Sequence, residues 1–430
     1  MITAGVASVD VTPPAGLAMA GFGARTDPAK GTHDPLTVRA LVVGDTALAV
    51  ADVIGIDAAL SARVRARCGL RPENVTITAV HNHGGPASME GRLSLPTEPE
   101  VLARLEEGLV TAITRAAESR QPVRLNGGTG AEPGVARNRR HPDGPVDTGV
   151  PVLRFDRADG SPLAVLLSYA CHPVVLGADN LLWTADYPHF VRQAVETALP
   201  GAVAIFATGC PGDVNTGHSA ADSLRPGPNP ARSFAEAERI GKAIAAAALE
   251  APLNPLSDTV SAAEARTELH FERRETAPLE LAAAWEREAA DADPVRAHLL
   301  RIWADWARAL PPEPLPPLPA RVSALDWGGA RLLAMPGEIF ARTALDLRGT
   351  QTAAPLFVLG YADDNPGYIP AATEYAFGGY EVEEAHRFYG LPAGFAPGSA
   401  EALARAVARA AEELTFDQSR RNGEYQDALH

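Results

Sequence analysis

At 430 residues, of which 46% are apolar, the chain is long for one core and globular in composition. A net charge of −15 argues against nucleic acid and anionic membranes as partners, and no apolar run reaches the ~18 residues of a membrane span. Three cysteines (Cys68, Cys171 and Cys210) match no metal spacing, and no basic-then-apolar leader opens the chain, so the expectation is a soluble, cytoplasmic protein without membrane insertion.

In chain order, Ala4 to Val11 alternates and is stopped by Pro13-Pro14, which reads as a strand. Val38–Val43 and Ala47–Ala51 read as a strand pair, and Leu60–Cys68 as a helix. Asn74–Val80 is short, apolar and β-branched, hence a buried strand. Immediately after it stand His81-Asn82-His83 and a Gly84-Gly85-Pro86 turn. Because side chains along a strand repeat every second residue, His-x-His at its end can aim two imidazoles one way. That suits a zinc or similar ion, although paired histidines more often simply cap a turn.

Glu98–Ser119 is an amphipathic helix, followed by a loop-rich segment holding Asn138-Arg139-Arg140-His141. Pro151–Phe155 and Leu163–Tyr169 flank Ala158-Asp159-Gly160, a hairpin signal. Phe190–Leu199 and Ala231–Glu250 read as helices. From Glu275 to Leu310 the pattern is helical and charged, then the proline-rich run to Pro319 forms a stiff linker. Residues 275–319 therefore read as a helical insertion with its linker inside one domain spanning 1–430. Strands resume at Val322–Asp326, Arg331–Met335 and Pro355–Leu359.

Five apolar runs lead at once into polar residues: Val75–Val80 into His81 and His83, Leu163–Ala170 into Cys171-His172-Pro173, and Val203–Ala207 into Gly212-Asp213-Val214-Asn215. Arg331–Met335 leads into Pro336-Gly337-Glu338, and Pro355–Leu359 into Gly360-Tyr361 and on to Tyr368. Ligands of α/β folds bind outside the carboxyl ends of strands, so tips sharing one sheet and one polarity would converge. Each tip also has a plainer reading. His172 suits a hydrogen-bonded core histidine, Glu338 a carboxylate at a helix N-terminus, Asp213 a turn residue, Asp186 a helix start, and Tyr368 packing.

Together these segments resemble the neutral, non-lysosomal ceramidase family in its catalytic domain. The resemblance rests on Val9-Asp10-Val11-Thr12-Pro13-Pro14, Gly21-Phe22-Gly23, Gly31-Thr32-His33, His81–Pro86, Asn138-Arg139, Cys171-His172-Pro173 and Thr184-Ala185-Asp186-Tyr187. It continues through Gly212–Asn215, Pro336-Gly337-Glu338, Tyr368-Ile369-Pro370, Glu374-Tyr375 and Tyr380-Glu381. It implies a mixed β-sheet core flanked by helices, with a metal site at the strand tips. It further implies one zinc held by His81, His172, Glu338 and Tyr368, with Tyr361 and Tyr375 as nearby alternatives to the tyrosine. His83 would contact the scissile amide, Arg139 would face a polar group of the substrate, and Asp186 and Asp213 would orient ligand histidines or hold strand tips.

Departures from the family pattern are Gly84 where serine is usual and Pro370 where threonine is usual. The chain also ends soon after Tyr380-Glu381, without the C-terminal β-sandwich expected of ceramide-cleaving members. The reading is a zinc-dependent hydrolase of a small N-acyl amide, more polar than ceramide. The competing readings are a zinc-dependent esterase or lactonase and a non-catalytic small-molecule binder; association with copies of itself stays open.

Overall fold

A computed structural model describes residues 1–219, 222, 229, 231–272, 277–311 and 315–427, with side chains up to Leu414. Its larger sheet runs, in order across, Val203–Thr208, Pro162–Tyr169, Val150–Arg157, Gln121–Gly130, Thr3–Asp10, Thr37–Val43, Thr46–Ala51 and Val75–Ala79. Short Asn254–Pro255 also pairs with Gln121–Gly130. Period-two alternation splits these strands between two cores. Val38, Ala40, Val42, Ala47 and Ala49 face helices Ala58–Arg67 and Pro99–Glu118, while Leu41, Val43, Leu48 and Val50 join the core on the opposite side, with Phe155, Ile205 and Trp327.

A second sheet runs Val260–Leu269, Leu318–Trp327, Ala330–Ala334 and Leu356–Leu359. Helix Ser399–Asp427 packs on the first two of these strands. The two sheets meet at their tips: the Asp363 N–H donates to the Ile77 carbonyl at 2.7 Å, and Thr78 bridges to Ala362.

The five polar tips therefore do not share one sheet. Within the larger sheet, moreover, five antiparallel steps separate Val75–Ala79 from Pro162–Tyr169, so their formal senses are opposite. Twist resolves this. At roughly 20–25° per strand, the seven steps from Val75–Ala79 to Val203–Thr208 amount to about half a turn. The Thr208 hydroxyl accordingly donates to the Val80 carbonyl at 2.7 Å.

Gln121–Gly130, in the segment expected to be loop-rich, is a ten-residue strand. Its glycines hide the strand pattern because helix Phe234–Leu249 and the chain after it lie directly on it. A Cβ on Gly130 would stand 2.1 Å from the Ala247 carbonyl oxygen, and one on Gly128 2.2 Å from that of Pro252. Val260–Leu269 is a further strand without a clear sequence signal. Leu318–Trp327 begins inside the proline-rich run, four residues before the expected Val322.

Between the second sheet's first two strands, the helical segment breaks into Pro278–Asp291 and Pro294–Ala309. Asp293 caps the second helix by accepting from the Val295 and Arg296 N–H groups, and Pro294 opens it. Glu275 and Pro312–Pro314 lie outside the described residues. The hairpin is docked: the Trp306 indole donates to the Leu391 carbonyl at 2.8 Å, and the Arg387 guanidinium lies 4.2 Å from the Trp303 ring centroid.

Candidate metal centre

His81, His172 and Glu338 meet where the tips converge; all three are buried, with one donor atom from each within 4.8 Å of the others. Strand periodicity is not what aims the histidine pair. Val75–Ala79 ends before His81, which turns into the left-handed region at φ 67°, and this kink brings the His81 and His83 Nε2 atoms to 3.5 Å.

Backbone carbonyls orient the two buried imidazoles. His81 Nδ1 is 2.6 Å from the Ile54 carbonyl oxygen, and His172 Nδ1 is 2.6 Å from that of Pro211. A carbonyl only accepts, so each Nδ1 carries the proton, and each Nε2 points at Glu338 Oε2, at 3.2 and 2.9 Å. Two lone pairs cannot face a carboxylate oxygen without a cation between or protons on both rings. A pair of imidazolium ions in a buried site carries a large desolvation cost. A divalent cation satisfies the same atoms, so the donor set fits a metal ion.

Burial pushes the His172 imidazole down to about 4, despite its hydrogen bond to Glu338. Burial alone would raise the Glu338 carboxyl; positive charge at the two imidazoles holds it well below the usual carboxylate range, a role that a bound cation would take over once both rings are neutral. Neutral imidazole and ionised carboxylate are the forms that bind metal. Tyr389 donates its hydroxyl to Glu338 Oε1.

Glu338 pairs with Tyr368 in a two-residue parallel ladder, and the Tyr368 hydroxyl accepts from Arg139 Nη2 at 2.9 Å. Arg139 is itself held by Glu381 at 2.9 Å and by the Gly212 carbonyl at 3.1 Å. Tyr361 stacks on His81 at 4.2 Å, and its buried hydroxyl has no hydrogen-bond partner among the described residues. Tyr375 points away and donates to the Phe395 carbonyl.

His83 lines the same cavity as His81, Glu338, Arg139 and Tyr368. Burial, reinforced by His81 and His172, lowers its pKa well below the ordinary value, and its Nδ1 has no partner among the described residues. Gly84 has a local cause: a Cβ there would stand 2.4 Å from the Thr184 carbonyl oxygen.

The two aspartates touch neither buried imidazole. Asp186 caps helix Tyr187–Ala198 through the Tyr187 N–H and accepts from the Leu176 N–H at 2.9 Å, which fixes the turn after His172-Pro173. Asp213 accepts from Asn138 and the Ala341 N–H, tying the Val203–Thr208 tip to the helix after Glu338. All three cysteines are buried and free, and burial pushes the Cys210 thiol up, away from nucleophilic use. Tyr389 and Arg25, which donates to the His83 carbonyl at 2.9 Å, are site residues with no sequence signal.

The family description "Neutral/alkaline non-lysosomal ceramidase, N-terminal" matches residues 2–223. The chain belongs to the neutral/alkaline non-lysosomal ceramidase family. Two solved structures agree in fold. One is neutral ceramidase from Pseudomonas aeruginosa, at 20% identity and TM-score 0.75, covering 95% of this chain and 74% of that one. The other is described as "Ceramidase complexed with C2", at 19% identity and TM-score 0.75, covering 97% and 75%. No curated protein matches. Family membership supports amide-bond hydrolysis as the chemistry, and the buried His81, His172 and Glu338 group could hold a metal ion. Among the described residues no helix is long and apolar enough to cross a membrane.

Proposed function

We propose that the protein hydrolyses a small N-acyl amide with the aid of one zinc ion. The observation that carries this reading is the convergence of His81 Nε2, His172 Nε2 and Glu338 Oε2 in a cavity that His83 and Arg139 also line. His81, His172, Glu338 and Tyr368 would hold the ion. When bound, zinc supplies a Lewis acid for the amide carbonyl and a water of lowered pKa.

The remaining work falls to side chains. His83, kept neutral by burial, can donate a hydrogen bond to the developing oxyanion, or take the proton that the attacking water releases and hand it to the departing nitrogen as the C–N bond breaks. Arg139 fixes the Tyr368 hydroxyl, and the Ile54 and Pro211 carbonyls fix the two imidazoles. The cavity, about 190 Å³, is below the ~300–1,000 Å³ usual for drug-sized ligands, which supports a short acyl chain.

His83→Ala is expected to keep the metal and lose roughly 10²–10³ in turnover of a short acyl amide. Undiminished turnover would remove His83 from the chemistry, and loss of the metal would make it a ligand instead. A matched amide and ester pair of substrates separates amidase from esterase.

A further inference from the structure

The cavity wall beside His83 is unexpectedly cationic for a chain of net charge −15. The guanidinium groups of Arg25 and Arg232 lie 4.8 and 5.3 Å from the centroid of one ring, Phe22, whose centroid is 4.9 Å from that of His83. Arg25 is 8% exposed and donates to the carbonyls of Ala20, His83, Gly177 and Ala178. Arg232 donates through Nε and Nη2 to the carbonyls of Val174, Val175 and Leu176. Its Nη1 group has no acceptor among the described residues.

Carbonyl oxygens satisfy hydrogen bonds without neutralising charge. Neither guanidinium forms an ion pair among the described residues; Asp179 acts on both at longer range, and Asp186 and Asp222 act so on Arg232. Among the residues lining the cavity the acid is Glu338, already committed to the metal centre, and Arg139 is neutralised by Glu381. Burial, with a contribution from neighbouring Arg232, draws Arg25 down to about 9, which leaves it cationic at neutral pH. Two positive charges gathered on one ring beside a reaction centre call for an anion.

Resting on the hydrolase reading above, we infer that the substrate is a short N-acyl amide bearing a carboxylate within a few bonds of the scissile bond, as in an N-acyl amino acid. The carboxylate sits against Arg232, whose Nη1 is uncommitted, within the field of the buried Arg25 cation, and Phe22 fixes its distance from His83. His298 and Ile302 of the helical hairpin also line the cavity and limit acyl length.

Calorimetric titration of the full chain with N-butanoylglycine and with its neutral isostere N-isobutylbutanamide, together with turnover of both in the zinc-supplemented protein, tests this. The glycine compound is expected to bind roughly tenfold to hundredfold tighter. That preference should collapse in Arg232→Met and be partly restored in Arg232→Lys. Equal affinity of the wild-type protein for the two compounds overturns the inference whatever the variants do, and turnover of the neutral amide would then leave the hydrolase reading standing. Selective, Arg232-dependent binding without cleavage supports the anion site and sinks the hydrolase reading instead.

Discussion

Glu338 faces two imidazoles with one oxygen, so its orientation depends on what holds the other. Tyr389 does so, from a segment with no strand tip or motif to mark it. Tyr389→Phe removes that hydroxyl at almost constant volume and is expected to weaken zinc binding about 10–100-fold, read by competition against a chelator. Unchanged affinity would show that the ladder with Tyr368 positions Glu338 alone. Asp186 offers a pH test. Burial raises its carboxyl to about 6 against the accepting bonds from Leu176, Tyr187 and Val175. Its favourable contribution is full below pH ~3.8 and is lost as pH rises through about 6. Asp186→Asn should therefore compare increasingly well with wild type between pH 4 and 7 in melting temperature. A difference that stays constant or shrinks would contradict this. His81, His172 and Glu338 were legible because each follows an apolar run directly. Tyr389 and Arg25 were not, since one tyrosine or arginine in a loop carries no period.

At the scale of elements, helix Tyr187–Ala198 is pinned to the larger sheet by a buried bidentate pair. Arg192 donates to Asp52 at 2.5 and 2.9 Å, and Asp52 also accepts from the Thr37 N–H and hydroxyl. Arg192→Met would strand that carboxylate in the core and is expected to cost about 3–5 kcal/mol in denaturant unfolding. A cost under 1 kcal/mol would mean that the Thr37 donors suffice. Elements with a dense apolar run or an amphipathic period, such as Thr37–Val43 and Pro99–Glu118, could be read from the chain alone. Gln121–Gly130 could not, because the close approach of Ala247 and Pro252 demands glycines that look like a loop. The break between the hairpin helices was likewise hidden, although Asp293-Pro294 carries the cap that makes it.

For the whole molecule, what sequence reasoning mistook was the route by which the tips converge. Common polarity in one sheet would have been sufficient, but two sheets and about half a turn of twist achieve it instead. Twist accumulates from pair to pair and leaves no mark in any single strand. The family motifs named the same residues without that geometry, since they mark positions and not paths. Elemental analysis of the purified chain beside His172→Ala decides whether the buried His81, His172 and Glu338 group holds zinc. About one zinc per chain is expected in the wild-type protein, lost in the variant together with amide turnover. Failure to take up zinc on reconstitution, or full zinc occupancy without His172, would contradict that expectation.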